Sequence, residues 1–212
     1  MFSVIFDMDG TLLDTQRICI DAWEEAGKAQ GVTGLGVHVP NVCGMNEAGW
    51  SGYVADNFET INVDEFKKFT RRYILDYGKV EFKPGAVELI EFLEANDIKF
   101  AIASGSSRET VIHHLTKLGV LDRFKVIVGG KDIENGKPAP DIFLLAAQKL
   151  GVEPESCFVF EDSSNGIKAG CAAGMTCIGI PDFAPFTPEA DKLMFKKLSN
   201  LAEAIEIFKN YI

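Results

Sequence analysis

The chain has 212 residues, 47% hydrophobic and 25% charged, with 21 Lys and Arg against 31 Asp and Glu and a formal net charge of -10. Ordinary hydrophobicity argues against disorder, and no apolar run reaches the roughly 18 residues that a membrane-spanning helix needs. The acidic balance disfavours nucleic acid and anionic membrane surfaces, which are bound through clustered Lys and Arg.

Along the chain, short apolar runs alternate with helix-period segments. The first run, residues 2–6, predicts a strand. Its start carries no basic n-region and reaches Asp7 at once, so it does not read as a signal peptide. Residues 15–82 contain no strand-like run; 17–30 and 64–77 read as amphipathic helices. Pro84-Gly85 then marks a return to alternation. Helices are expected at 86–95, 108–118, 141–150, 165–173 and 201–208, and strands at 98–103, 125–128, 157–160 and 177–180. Gly119, Gly151 and Gly174 stand where helix C-caps belong. The pattern predicts an α/β fold: a doubly wound parallel sheet built from 1–14 and 83–212, with a smaller all-helical domain over 15–82.

The five cysteines, Cys19, Cys43, Cys157, Cys171 and Cys177, form an odd set without a C-x-x-C pair. They read as small buried hydrophobes in a reducing cytoplasm, not as a disulfide framework or zinc site.

Ligands of open α/β sheets bind beyond the carboxyl ends of the strands. The polar residues there are Asp7, Asp9, Gly10 and Thr11 after the first run, and Ser104, Gly105, Ser106 and Arg108 after the second. Lys137 follows the third and Glu161-Asp162 the fourth. Four carboxylates at one sheet end repel one another unless a cation sits among them, and oxygen donors beside phosphate suit Mg2+. Each piece alone has a plain reading: Asp7 to Gly10 as an Asx turn, Ser104 and Glu161-Asp162 as helix caps, Lys137 as a solvated lysine. Rival motifs fail: Gly136-Lys137 is followed by Pro138 instead of the Ser/Thr of a P-loop, and no Gly-x-Ser-x-Gly surrounds Ser104. His113 and His114, adjacent on one helix, read as surface residues and not as a metal pair.

Taken together, Asp7-Met-Asp-Gly-Thr-Leu-Leu-Asp-Thr15, Ser104, Lys137 and Glu161-Asp162 resemble the four motifs of the haloacid dehalogenase superfamily, in order. The runs 136–143 and 161–169 are most similar to its branch of sugar-phosphate phosphatases and β-phosphoglucomutase. The resemblance implies Asp7 as nucleophile and Asp9 as general acid and base, with Ser104 and Lys137 holding the phosphoryl group. It implies Mg2+ held by Asp7, the Asp9 carbonyl and Asp162, with Glu161 close by or ligating. Thr11, Gly105, Ser106 and Arg108 are expected near substrate, and Cys19, Asn46, Glu47 and Trp50 on the helical cap, where Trp50 fits the cap core equally well. Asp9 and Asp162 argue against dehalogenation. A mutase of this branch carries a cap histidine and a cap arginine for a second phosphate; Cys19 and Glu47 stand at those places here. Hydrolysis of a small phosphorylated sugar or polyol is therefore expected over mutase activity, in a cytoplasmic monomer whose cap hinges near 14–17 and 82–85. A non-enzymatic phosphate-binding role fits an intact acid set less well.

Overall fold

The computed structural model describes residues 2–43 and 45–212. Met1 and Gly44, the latter within the loop compared above with the mutases, lie outside the described residues. In chain order the strands are β1 (Ser3–Phe6), β2 (Phe100–Ser104), β3 (Val126–Gly129), β4 (Cys157–Glu161), β5 (Thr176–Gly179) and β6 (Lys196–Lys197). The helices are α1 (Gln16–Lys28), α2 (Val39–Val42), α3 (Glu47–Asn57), α4 (Val63–Tyr77), α5 (Ala86–Ala95), α6 (Arg108–Lys117), α7 (Asp141–Leu150), α8 (Ser164–Ala172), α9 (Pro188–Leu193) and α10 (Glu203–Phe208).

All strand pairs are parallel and the order is β3-β2-β1-β4-β5-β6. Period-two alternation divides each strand between two cores. Val4 and Phe6 of β1, with Phe158 and Phe160 of β4, face α5 and α10. Ile5 and Val159 face the other side, against α7 and α8. The first face is aromatic: Phe6 stacks on Phe160 at 5.3 Å, and Phe158 meets Phe208 edge-on at 5.0 Å. On the second face Ala101 and Ala103 leave room for Phe143. Burying each such side chain contributes about 1.5–3 kcal/mol, so central β1 is anchored from both sides.

A third core lies wholly within residues 23–66, where Trp23, Leu35, Val54 and Phe66 pack together. Trp23 and Phe66 meet edge-on at 5.3 Å. The chain leaves and re-enters the sheet layer side by side: the Asp14 amide donates to the Glu81 carbonyl and the Lys83 amide to the Leu12 carbonyl, each at 2.9 Å.

The five predicted strands and seven predicted helices are present within a few residues of their expected bounds. Strand β6 and helices α2, α3 and α9 escape a periodicity reading: β6, α2 and α9 are short, and α3 buries Val54 alone and so shows no apolar stripe. Two expectations are overturned. Of the five cysteines expected to be buried, Cys19, Cys43 and Cys171 are only half-buried, since Cys19 and Cys171 lie at the margins of their cores and Cys43 just past the end of α2. His114 is buried, because residues 111, 114 and 115 share the inward stripe of α6, and a polar residue on an apolar stripe is still carried inward.

Candidate active site

The strand order reverses between β1 and β4, since the chain walks outward through β2 and β3 on one side and β5 and β6 on the other. Such a switch point opens a crevice at the strand ends. Asp7 continues the β1 ladder by one bond, its amide donating to the Phe160 carbonyl at 2.9 Å, so it emerges beside Glu161. The chain then turns sharply, with the Leu12 and Leu13 amides both reaching the Met8 carbonyl. Gly10 sits in this turn at φ +83°, and a Cβ there would lie 2.4 Å from Asp162 Oδ2. Glycine is thus required twice over, by conformation and by space.

Lys137, from the loop before α7, donates to Asp7 Oδ1 and to Glu161 Oε1. No described residue donates to Asp7 Oδ2. The other Glu161 oxygen accepts from the Ser163 amide and hydroxyl, both at 2.9 Å. The same Ser163 hydroxyl caps α8 by accepting from the Gly166 amide. Glu161 fills the space over Gly166, where a Cβ would fall 1.8 Å from the carboxyl. Glu161 is therefore fully engaged, and reads as the residue that orients Lys137.

Asp162 accepts from Thr11 Oγ1 at 3.2 Å and from Gln16 Nε2 at 2.6 Å. Asp9 accepts from three hydroxyls: Thr15 at 2.7 Å, Ser104 at 2.9 Å and Ser106 at 2.8 Å. Ser104 in turn accepts from the Ser106 amide at 3.0 Å. Three strand ends and the loop before α7 thus bring Asp7, Asp9, Ser104, Lys137, Glu161 and Asp162 into one cluster, buried except at Asp9.

Its charges do not balance. Acceptor oxygens of Asp7, Glu161 and Asp162 all lie within 4.8 Å of one another, and one lysine faces them. Burial would lower the Lys137 pKa, but the charges of Asp7 and Glu161 outweigh it and raise it. Burial raises Asp7 well above the usual carboxylate range; Lys137 opposes this, while Glu161 and Asp9 add to it. Asp162 is raised by burial first, then by Glu161 and Asp7. Buried acids held this close favour a cation among them, and an all-oxygen donor set suits a hard divalent ion. The residues present therefore fit a metal site.

The helical segment supplies the opposite wall. Met45 and Asn46 rest on the strand-end loops: a Cβ on Gly105 would lie 3.0 Å from the Met45 carbonyl, and one on Gly136 would lie 2.5 Å from Asn46 Nδ2. Asn46 also caps α3, accepting from the Gly49 amide. Cys19 is held near Asp9, and burial and that charge push its thiol up to about 12. Cys43 donates to Gln16 Oε1 at 3.0 Å. Glu47 does not stand as a bare charge, since Lys67 pairs with it at 2.9 Å. Of its two readings Trp50 takes the second, packing with Trp23 at 5.8 Å in the core of residues 23–66. Arg108 is exposed at the start of α6, where Ser107, and not Ser104, is the cap.

Thr15, Gln16 and Ser163 join the cluster although the sequence reading assigned them no role. Thr15 carried a usable signal. It stands at the N-cap position of α1 yet makes no capping bond, because its hydroxyl is spent on Asp9.

Residues 3–174 match the family model described as haloacid dehalogenase-like hydrolase. The chain is 31% identical over 180 residues to the "Phosphorylated carbohydrates phosphatase" of Thermotoga maritima, covering 82% of each. It is 34% identical over 181 residues to the "Bifunctional riboflavin kinase/FMN phosphatase" of Arabidopsis thaliana, covering 84% of this chain but 48% of that longer protein. Among solved structures it resembles CbbY from Rhodobacter sphaeroides in complex with phosphate, with a TM-score of 0.82, 25% identity and 96% of each chain covered.

Proposed function

Because the chain belongs to the haloacid dehalogenase-like hydrolases and its relatives include phosphatases, we propose that it is a Mg2+-dependent phosphatase of a small phosphorylated sugar or polyol. The observation that carries this reading is the division of labour between two aspartates: Lys137 occupies Asp7 Oδ1 and leaves Oδ2 for attack, while three hydroxyls aim Asp9 from across the crevice.

In the first half-reaction Asp7 Oδ2 bonds to phosphorus and the ester oxygen leaves with a proton from Asp9. In the second, water attacks phosphorus, Asp9 takes its proton, and Asp7 and inorganic phosphate are released. Proton transfer of this kind contributes about 10²–10⁴-fold. Lys137 holds the nucleophile still and offsets charge on the phosphoryl oxygens. Ser104 is placed to exchange its bond to Asp9 for one to a phosphoryl oxygen. Asp7, Asp162 and the Asp9 carbonyl would hold Mg2+, which neutralises phosphoryl charge so that an anionic nucleophile can approach. Residues 15–82 act as a cap whose 45–46 segment shuts the crevice against water.

A mutase needs a cation on the cap for a second phosphate. Glu47 with its Lys67 partner presents a neutralised pair in place of a free arginine. This supports hydrolysis. The test is a panel of phosphorylated sugars and polyols with Mg2+, followed for free phosphate and for isomer interconversion. Phosphate release abolished by chelator is expected; bisphosphate-stimulated interconversion without net release would replace the reading with a mutase.

A further inference from the structure

Away from the crevice, on the far side of β5, two of the five cysteines meet. Cys171 ends α8 and Cys177 lies in β5, and their sulfurs are 3.3 Å apart. Glycine makes the approach possible: a Cβ on Gly170 would fall 2.6 Å from Cys177 Sγ, so no other residue there lets the last turn of α8 come this close to the strand. A disulfide has an S–S distance of about 2.05 Å, so closing the bond asks for a movement of about 1.3 Å at the end of a helix. The cysteines differ in access. Cys171 is half-buried, its Sγ also 3.4 Å from the Leu193 carbonyl, whereas Cys177 is buried in the core between α8 and the sheet.

We infer that Cys171 and Cys177 form a peroxide-oxidisable thiol pair, with Cys171 the attacking sulfur and Cys177 the resolving one. The Cys171 thiolate attacks the outer oxygen of a hydroperoxide; the S–O bond forms, the O–O bond breaks, and water or an alcohol leaves with a proton. The Cys177 thiol then attacks the sulfenic sulfur; the S–S bond forms, the S–O bond breaks, and hydroxide departs with the thiol proton as water. Two thiols lose two electrons and one peroxide gains them. The protonation pattern agrees with this order. Burial pushes Cys19 and Cys157 up to about 12 and about 11 and Cys43 higher still; the hydrogen bond between Cys171 and Cys177 draws Cys171 down to about 7 and, with burial, pushes Cys177 far up, so Cys177 stays a thiol. The disulfide would tie to β5 the last turn of α8, the helix whose N-cap Ser163 also holds Glu161. In a reducing compartment such a bond is transient and reversible by thiols.

The experiment treats the full chain with a small excess of hydrogen peroxide at neutral pH, alkylates what remains, and maps peptides without reduction. Titratable thiols are expected to fall from five to three, with a single cross-link joining Cys171 to Cys177 and full recovery in dithiothreitol. Cys171 should be consumed about tenfold or more faster than Cys157, following its thiolate fraction. In Cys177→Ser the cross-link should be absent and a sulfenic acid at Cys171 should be trapped by dimedone. In Cys171→Ser, Cys177 should stay reduced. Survival of all five thiols, or a cross-link between any other pair such as Cys19 and Cys43, overturns the inference.

Discussion

The strand-end cluster and the cap face above it use their polar atoms in opposite ways. In the cluster, Asp9, Ser104, Lys137, Glu161 and Asp162 each hold at least one described partner, and their positions follow from neighbouring strands in fixed register. Across from it, Cys19 and Met45 present soft or apolar atoms, and Asn46 and Glu47 are partnered within the cap itself. On the proposed function the sheet fixes the chemistry to within a hydrogen-bond length, and the cap is free to vary what it admits. Rate should live on one side and substrate choice on the other.

Four measurements sharpen this contrast, in falling order of effect. Asp9→Asn keeps the shape of the side chain but removes its proton transfer. Hydrolysis should fall by about 10²–10⁴-fold, with an unchanged circular dichroism spectrum. A loss below tenfold would move the acid–base role elsewhere. Gly105→Ala sets a methyl against the Met45 carbonyl and so, under the proposed closure of the cap, acts only in the shut arrangement. A cost of about 1 kcal/mol to the shut arrangement predicts a roughly fivefold drop in kcat/KM with stability unchanged. Equal loss in stability would show that the glycine serves the core fold instead.

His114 tests the boundary between the regions. Burial lowers its pKa, against an upward pull from Asp9, and its Nδ1 has no partner among the described residues. The unfolded chain then binds the proton more readily than the folded one, so stability should fall as pH drops through the ordinary histidine range near 6.5 and towards the lower folded value. Denaturant melts of His114→Leu should show a flatter pH profile over that window. The smallest effect is remote from both regions. Arg123 pairs with Glu94 through two bonds and holds its pKa down. That stability is present above the unfolded carboxylate pKa and lost as pH falls through the depressed one. The pair is largely solvent-screened, so Glu94→Gln should cost less than about 1 kcal/mol at neutral pH and nothing in activity.

Legibility in the sequence follows the same division. The strands could be read because apolar runs such as 2–6 and 157–160 are buried on both faces, and their ends named Asp7 and Glu161-Asp162 directly. Asp9 and Lys137 were legible as motif residues, but their partners were not. That Thr15 serves Asp9 and Gln16 serves Asp162 depends on how α1 enters over the turn, a tertiary fact without periodicity. Adjacency to His113 tells that the two rings diverge but not which one turns inward, and the inward stripe of α6 takes His114. For Trp50 the sequence leaves pocket wall and cap core equally open, and for Glu47 it names no partner; the choice is made by Trp23 and Lys67, many residues away.

The central claim is that Asp7 becomes phosphorylated and that Asp9 clears it. The direct measurement is an acid quench of Asp9→Asn after incubation with Mg2+ and a reactive phosphate donor, followed by peptide mass analysis. A phosphoryl adduct on the peptide spanning Asp7, absent in Asp7→Asn, is the predicted result. Undiminished hydrolysis by Asp7→Asn, with no adduct on that peptide in any variant, would contradict it.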